Sequence, residues 1–405
     1  MLLAALIAIV VLGFVLEQSL GYLNQRSAKQ PVDPQLAGLY DVTERERSLA
    51  YGATRFRLGL LSSFVSTGVL VAALAWGWLG TLDALLRDHV HNELLVSLAF
   101  FAVLSGLSWW ISLPFALYST FVVEARYGFN TMTWRTYAID TIKATALTAL
   151  LGGGMLGTVL WIEQELGANF WIVAWLVLAA FSLFMFMFGV PLIQPLFNTL
   201  TPLPPGELRD RISAYCAEQG YAIGKLSVMD GSKRSTKANA FFAGLGRSKT
   251  IVLFDTLIEK LDTDEIVAVL AHEIGHYKRR HTLWMFMLSN AESFAMLFLL
   301  GWLLRYPELS AALGGAQPSV HLAAFTFVLL YSPIGMLQGL LNNSLSRRNE
   351  FEADRFAKQT NSAAALSSGL RTISADALSN LNPHPWFVLF NYSHPPLLQR
   401  LRALA

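Results

Sequence analysis

Charged residues are scarce in this sequence. Aspartate, glutamate, lysine and arginine make up 14% of the 405 residues, whereas apolar residues make up 54%. A typical soluble domain is about 25% charged, so these side chains are too few to give a water-soluble protein of this size a polar surface. The composition excludes an ordinary soluble enzyme and a disordered protein, and it predicts a membrane protein.

Two other features are missing. Basic and acidic residues number 30 and 28, a formal net charge of +2, so the chain lacks the strongly basic field of a nucleic-acid binder. Cysteine occurs once, at Cys216, which excludes an intrachain disulfide and a cysteine-based zinc cluster. No nucleic-acid partner is therefore expected.

Long apolar runs, by contrast, are frequent. A helix needs about 20 residues to cross the hydrocarbon core of a bilayer, and seven runs of roughly that length carry almost no charge. They lie at residues 2–16, 58–82, 94–123, 144–162, 170–193, 282–304 and 322–345. In the first, the basic residue Arg26 follows the run instead of preceding it, which favours an uncleaved span over a signal peptide. We predict a mostly α-helical, multi-pass membrane protein with seven transmembrane helices.

The loops between these runs differ in charge. The first predicted loop contains six basic residues between Arg26 and Arg57, whereas the fourth has Glu163 and Glu165 and no lysine or arginine. Short loops rich in lysine and arginine remain in the cytoplasm. The odd-numbered loops are therefore predicted to be cytoplasmic, together with the large segment at residues 198–281 and the tail that follows residue 345.

The chain divides into four predicted parts. Residues 1–197 form transmembrane helices one to five, 198–281 a small cytoplasmic α+β insert, 282–345 helices six and seven, and 346–405 cytoplasmic C-terminal helices. Within the insert we predict a helix at 207–219, strands at 225–230, 238–245 and 250–257, and a turn at 246–249. A further helix is predicted to begin near Asp262, which has capping-box spacing to Glu265.

That last helix carries the sequence His272-Glu273-Ile274-Gly275-His276. Histidines four residues apart lie on one face of a helix and provide half of a tetrahedral zinc site. Glu273, on the adjoining face, can take a proton from a water activated by the metal. This composition predicts roughly 0.01 chance occurrences of the pattern, so two merely exposed histidines are a poor explanation of it.

A catalytic zinc site usually has a third protein ligand. The strongest candidates are Glu350 and Asp354, which share one face of a predicted helix after the seventh run. One carboxylate can bind zinc while the other accepts the N–H of a ligand histidine. Spacing alone leaves open which of the two does so.

These residues and several other segments resemble the integral-membrane zinc endopeptidases typified by the type I CAAX prenyl protease. The resemblance covers most of the chain. Beyond the zinc motif it rests on Asn342-x-x-x-Ser346-Arg347-x-x-Glu350-x-x-x-Asp354, Asn239-Ala240-Phe241-Phe242, residues 251–257, Pro195-Leu196-Phe197-Asn198, Gly128-Phe129-Asn130 and Ser393-His394-Pro395-Pro396.

The resemblance implies a role for each matched residue. It implies Glu350 as the third zinc ligand, Asp354 as the partner of a ligand histidine, and a large enclosed chamber with the Zn²⁺ site on its cytoplasmic side. Asn239, Ala240 and Phe241 resemble the edge strand that pairs with an extended peptide. His394 resembles the histidine that supports the oxyanion. Arg347 is expected to brace acidic side chains near the metal.

The leading hypothesis is a zinc-dependent endopeptidase that cuts near the C-terminus of lipidated or other membrane-associated polypeptides. An intramembrane protease is disfavoured because charges at residues 262–265 and 278–280 flank the motif. Three further hypotheses are a quality-control protease without prenyl specificity, a zinc-stabilised scaffold and a transporter. A zinc ion that only stabilised a scaffold would need ligands alone. The presence of Glu273, which is not a ligand, therefore argues against the scaffold. We expect a monomer in the lipid bilayer.

The tail at residues 401–405 has no endoplasmic-reticulum retrieval signal, and the loop between runs six and seven is short. Both favour a bacterial inner membrane. Two residues outside the motif carry weaker expectations. Glu292, at mid-span, either lines the chamber or pairs with an arginine. His321, at the edge of a span, is expected to face water.

Overall fold

The computed structural model describes residues 1–243 and 250–405. Most of this chain is helical. In chain order the α-helices are α1 (Leu2–Ala28), α2 (Val42–Ala75), α3 (Trp78–His89), α4 (Glu93–Tyr118), α5 (Trp134–Thr148), α6 (Gly154–Leu166), α7 (Phe170–Phe197), α8 (Glu207–Glu218), α9 (Asp255–Lys260), α10 (Thr263–Lys278), α11 (His281–Leu303), α12 (Glu308–Ala311), α13 (Val320–Thr360), α14 (Ala363–Asp376), α15 (Pro385–Asn391) and α16 (Leu397–Leu404).

Seven helical segments of the described chain are long and apolar enough to cross a membrane. They are Leu2–Ala28, Val42–Ala75, Glu93–Glu124, Trp134–Leu166, Phe170–Phe197, His281–Leu303 and Val320–Thr360. The prediction of a mostly α-helical protein with seven spans is confirmed. Two of these segments contain a π-helical turn, at Ser119–Glu124 and at Ala149–Gly153.

The second and seventh spans end at residues other than those predicted. The second stops at Ala75, because Gly77 takes a left-handed conformation (φ 69°) and the chain restarts as the separate helix α3. The seventh does not stop at residue 345 but continues through Thr360 as one helix of 41 residues. A single rigid element therefore runs from the far end of the membrane domain to Glu350 and Asp354.

The insert contains a four-stranded sheet. Its strands are β1 (Leu200–Pro202), β2 (Lys225–Met229), β3 (Ala240–Ala243) and β4 (Thr250–Phe254), in the order β1-β2-β4-β3. Strand β2 pairs in parallel with β4, and β3 pairs antiparallel with β4. The β1 strand was not predicted, and residues 255–257 begin helix α9 instead of extending β4. The turn predicted at 246–249 lies outside the described residues.

A buried core joins this sheet to the motif helix. Ile251 of β4, Ile212 of α8 and the α10 residues Ile266, Leu270 and Ile274 are all at most 2% exposed. Burying an isoleucine or leucine side chain contributes roughly 1.5–3 kcal/mol. This packing holds the buried face of α10 against the sheet and directs its histidine face toward α13.

A buried polar network joins α3, α4 and the start of α13, at the end of the membrane domain opposite the insert. His321 is 0% exposed, and its ring nitrogens contact Asp83 of α3 at 2.8 Å and Ser97 of α4 at 3.0 Å. Arg87 bonds both Asp83 and Ser319. The expectation that His321 faces water is wrong, because α3 folds over the start of α13 and encloses it.

The segment leading into β3 is fastened to the membrane helices by two ion pairs. Arg234 makes a bidentate contact with Asp140 of α5, at 2.7 and 3.0 Å. Lys237 lies 2.9 Å from Glu124 and 3.0 Å from the hydroxyl of Tyr51. Since Glu124 ends a π-helical turn, and such turns often re-aim side chains at functional positions, this local irregularity helps to place β3.

Replacing Asp140 by asparagine should therefore loosen the insert. The bidentate pair is about four-fifths buried, and losing a charged hydrogen-bond partner costs about 1–3 kcal/mol. We expect a lower midpoint of thermal unfolding for the detergent-purified protein. Asp88→Asn is the matched control, because Asp88 is exposed and forms no ion pair within the described chain. Equal midpoints for both variants would contradict this role of the Arg234–Asp140 pair.

Candidate active site

The motif helix begins as predicted. Asp262 accepts a hydrogen bond from the backbone N–H of Glu265, and the Glu265 carboxylate accepts one from the N–H of Asp262. This capping box satisfies two amide groups that the first turn would otherwise leave unpaired. Ten and fourteen residues after the cap, His272 and His276 project from one face, and their Nε2 atoms lie 3.2 Å apart.

Helix α13 brings a carboxylate to these two nitrogens. Glu350 Oε1 lies 3.2 Å from His276 Nε2, and its Oε2 lies 3.4 Å from His272 Nε2. One donor atom from each of the three residues falls within 4.8 Å of the others. Three converging donors on two packed helices form a group that could hold a metal ion, and Glu350 rather than Asp354 faces both histidines.

The approach of the two helices depends on Gly275. A Cβ on this residue would lie 3.0 Å from the Cα of Ala353, a tighter contact than most side-chain carbons make. Residue 275 must therefore be small for α10 and α13 to cross here. Sequence spacing places the histidines on one face, and this glycine lets the carboxylate helix reach them.

Asp354 lies behind His272. Its Oδ1 atom is 2.8 Å from His272 Nδ1, so the ring can donate Nδ1–H and direct Nε2 toward Glu350. This is the arrangement by which a carboxylate fixes the tautomer of a metal-binding histidine. Burial by itself would lower the pKa of His272, but the hydrogen bonds that its ring donates to the Asp354 and Glu350 carboxylates outweigh burial and raise that pKa to about 9. The pocket therefore favours positive charge.

A buried arginine completes this side of the site. Arg400 of α16 donates to both carboxylate oxygens of Asp354, at 2.9 and 2.6 Å, and lies 3.4 Å from Glu350. It is 9% exposed. Sequence analysis missed Arg400, since 46 residues separate it from Asp354. The buried Asp354, which would otherwise need a counter-charge of its own, could have signalled such a partner.

His281 lies behind the other histidine. Its Nδ1 atom is 3.1 Å from His276 Nδ1, and its Nε2 is 3.2 Å from Glu352. Because two ring nitrogens face each other, one must carry the hydrogen and the other accept it. His281 is thus outside the group of converging donors but orients one of its members.

Of the remaining predicted residues, Glu273 and His394 adjoin this group, and the others belong to the edge strand of the sheet. Glu273 is half-buried, and His394 Nε2 lies 3.3 Å from Glu350 Oε1 with its side chain 66% exposed. Asn239 is exposed, and its carbonyl accepts the N–H of Phe254. Strand β3, with Ala240 and Phe241, is at the edge of the sheet.

Arg347 is the predicted residue whose contacts differ from the expectation. Its guanidinium donates to the carbonyls of Val388 and Tyr392, at 3.1 and 2.6 Å, and to the hydroxyl of Ser344 at 3.0 Å. The expectation that it braces acidic side chains near the metal is wrong. Arg347 points across α13 toward α15, whereas Arg400 approaches the carboxylates from α16.

Comparison with known proteins identifies the family. Residues 202–405 match the model of peptidase family M48, and residues 22–199 match the CAAX prenyl protease N-terminal model, described as five membrane helices. The chain belongs to this family of membrane peptidases. It is therefore a membrane metalloendopeptidase, and the predicted enzyme is confirmed over a scaffold or a transporter.

Similar proteins span nearly its whole length. The chain is 35% identical to CAAX prenyl protease 1 homolog of Oryza sativa subsp. japonica, over 99% of this chain and 97% of that protein. It is 32% identical to the Homo sapiens homolog, over 92% and 88%. The crystal structure of S. mikatae Ste24p superposes with a TM-score of 0.94 at 28% identity, covering 100% of this chain and 99% of that one.

Asp354 should control how tightly the site holds a metal. Replacing it by asparagine removes the negative charge that fixes His272, and losing such a partner typically weakens metal binding about 10–100-fold. Competition with a chromogenic chelator would measure the change. Asp264→Asn is the control, because Asp264 lies on the same helix as His272 but is exposed. If both variants bound the metal as the parent protein does, Asp354 would have no such role.

Proposed function

We propose that this chain is a zinc-dependent endopeptidase that cuts prenylated, CAAX-type polypeptides near their C-terminus. The observation that carries the proposal is the convergence of His272, His276 and Glu350 beside the half-buried Glu273. The names of its relatives, CAAX prenyl proteases, supply the substrate class. The competing hypothesis is a peptidase without prenyl specificity, and cleavage of peptides with and without the lipid distinguishes the two.

Zinc is the metal that this donor set fits best. Two imidazoles and one carboxylate, with a fourth position open, form a common catalytic zinc site. Tetrahedral ligands at about 2.0–2.1 Å from zinc lie about 3.3 Å from one another, and the two histidine Nε2 atoms are 3.2 Å apart. Glu350 presents a different oxygen to each histidine, at 3.2 Å from His276 and 3.4 Å from His272. Glu350 Oε2 is buried, and although Arg400 and His272 both lie 3.4 Å away, it accepts no well-formed hydrogen bond in the described chain, which leaves it able to bind a metal ion.

A zinc ion at this position would polarise the scissile carbonyl and lower the pKa of the attacking water. Glu273 would accept a proton from that water as it attacks the carbonyl carbon, and would then deliver the proton to the leaving nitrogen. His394, exposed and beside Glu350, would donate a hydrogen bond to the developing oxyanion. Asp354 and His281 would keep the two histidine rings in place throughout.

The substrate would bind along β3. Asn239, Ala240 and Phe241 lie where β3 begins, and its partner β4 occupies only one of its edges. A peptide that added a strand to the other edge would be held through main-chain hydrogen bonds, largely independent of its sequence. This mode suits an enzyme that recognises a lipid group and a chain end more than particular side chains.

The enclosed chamber also belongs to the proposal. Glu292 of α11 accepts a hydrogen bond from Asn342 of α13 at 3.1 Å, so it pairs with neither arginine nor lysine within the described residues. Both residues are half-buried at membrane depth, where polar groups usually face a protein interior or water. A polar lining of this kind fits a chamber between the helices.

The active site would face the cytoplasm of a monomer. The basic loops that precede α2 and α5 support that side, by the positive-inside rule. The choice of a bacterial inner membrane stays a prediction, and the short connection between α11 and α13 supports it.

Substitution of Glu273 and Glu350 should separate proton transfer from metal binding. We expect Glu273→Gln to retain zinc but to lose roughly 10²–10⁴-fold in cleavage of a farnesylated CAAX peptide. Glu350→Ala should lose the zinc itself. Zinc content and peptide cleavage would be measured on the same detergent-purified samples.

Glu308→Gln is the matched control, because Glu308 is exposed on α12, outside the site. Full activity of Glu273→Gln would refute the proton-transfer role. Equal cleavage of farnesylated and unmodified peptides by the parent protein would favour the peptidase without prenyl specificity.

The proposed orientation can be tested by labelling single cysteines. Cys216 is the single cysteine of the sequence, so a Cys216→Ser background carries no thiol. In intact cells, a membrane-impermeant maleimide should label Asp88→Cys, in α3, and should label Glu218→Cys, in the insert, only after permeabilisation. The reverse pattern would place the active site on the outer face.

A further inference from the structure

Helix α15, which comes directly before the turn that carries His394, is too short to be stable alone. It has seven residues, whereas isolated helices shorter than about 12–15 residues are marginal in water. Its apolar contact is also small, because Val388 is its one buried residue and Trp386 is 59% exposed. Contacts with other parts of the chain must therefore keep α15 folded.

The first membrane helix holds the start of α15. Asn24 of α1 is 8% exposed. Its side-chain oxygen accepts one hydrogen bond from the backbone N–H of His384, at 3.1 Å, and another from the side chain of Asn380, at 3.2 Å. Because His384 directly precedes α15, this buried asparagine fixes the point at which the short helix begins.

The seventh membrane helix holds the end of α15. The last four carbonyls of a helix have no partner within it, and the carbonyl of Phe390 is one of these. Asn343 of α13 donates a hydrogen bond to it at 2.7 Å. Arg347, one turn further along α13, donates to the carbonyls of Val388 and Tyr392. Side chains of two membrane spans thus hold both ends of α15 through its backbone.

The position of His394 depends on the two ends of its turn. The His394 side chain is 66% exposed and lies 3.3 Å from Glu350, so packing does not fix it. Its turn begins where α15 ends and leads into α16. Arg400 fastens α16 by pairing with Asp354. The other end of the turn is fastened through α15.

We infer that Asn24 and Asn343 are positioning residues for His394, which they place by holding α15. The inference rests on the proposed function, because it requires His394 to donate a hydrogen bond to the oxyanion. Such a donor must lie about 2.7–3.1 Å from the oxygen, and a misplacement of about 1 Å can cost about 10²-fold in rate. The first membrane span, which supplies no predicted zinc ligand, would thereby contribute to the rate.

A purely structural role for the two asparagines predicts a different result. Losing a hydrogen bond to α15 would then lower stability, and any effect on the rate would be independent of His394. A double-mutant cycle separates the two roles, because changes that act through the same residue are not additive.

The test measures kcat and KM for a farnesylated CAAX peptide with the full-length zinc-loaded protein in detergent. We expect His394→Ala to lower kcat about 10²–10³-fold, as for the loss of one oxyanion donor. Asn24→Ala and Asn343→Ala should each lower kcat about 10–100-fold, with little change in KM. In the His394→Ala background, neither should lower kcat further. Asn24→Asp keeps the acceptor oxygen and should retain the kcat of the parent protein.

Asn92→Ala is the matched control. Asn92 accepts the backbone N–H of Leu95 at the start of α4, so this variant loses a helix-end hydrogen bond on a different helix and should keep the parent kcat. Hydrogen exchange of residues 384–394 gives a measurement that does not depend on cleavage. It should be faster in Asn24→Ala and Asn343→Ala than in the parent protein or the control.

Zinc content and thermal midpoint would verify that each variant is folded, and Asn343→Ala provides the result if Asn24→Ala is not. Two outcomes would overturn the inference alone: an unchanged kcat in both asparagine variants, or the same loss of kcat with and without His394. If His394→Ala kept full kcat, the oxyanion role and the inference would both fall while zinc-dependent cleavage stood. If the parent protein cleaved no farnesylated peptide, the proposed function would fail and the inference with it.

Discussion

The crossing of α10 and α13 is the contact on which the site depends. Neither helix alone has the three donors: α10 supplies His272 and His276, and α13 supplies Glu350. They meet because Gly275 leaves room for the backbone of Ala353. On one side the core of the insert holds α10, and on the other α13 continues without a break from the membrane span. The histidines of the insert are thereby fixed relative to the seventh membrane span.

The charges at this crossing balance in pairs. Glu350 and Asp354 are buried, and burial of isolated carboxylates is costly unless they are paired. Arg400 meets both of them, and His272 lies between them. The positive charge of Arg400 neutralises one of these two negative charges. A metal cation in the site would neutralise the other. The same groups thus stabilise the C-terminal helix and prepare the site.

The membrane helices also position β3, the proposed substrate strand. Glu124 and Asp140, from the third and fourth spans, anchor the segment that leads into β3. At the other end of the membrane domain, His321 contacts Asp83 and Ser97. These contacts hold the start of α13 against α3 and α4. The long helix α13 is consequently held both where it begins and where it carries Glu350, so a rigid element sets the distance between these two regions.

The sequence by itself determined the features that depend on local periodicity. Apolar run length predicted the seven spans, capping-box spacing predicted the start of α10, and four-residue spacing placed His272 and His276 on one face. Resemblance to a family added Glu350. Only the tertiary structure decided which distant residues meet: Arg400 with Asp354, His281 with Glu352, His321 with Asp83, and Arg347 with the carbonyls near α15. These contacts join residues 41 to 238 positions apart, and no local pattern encodes them, because each arises from how separate helices pack.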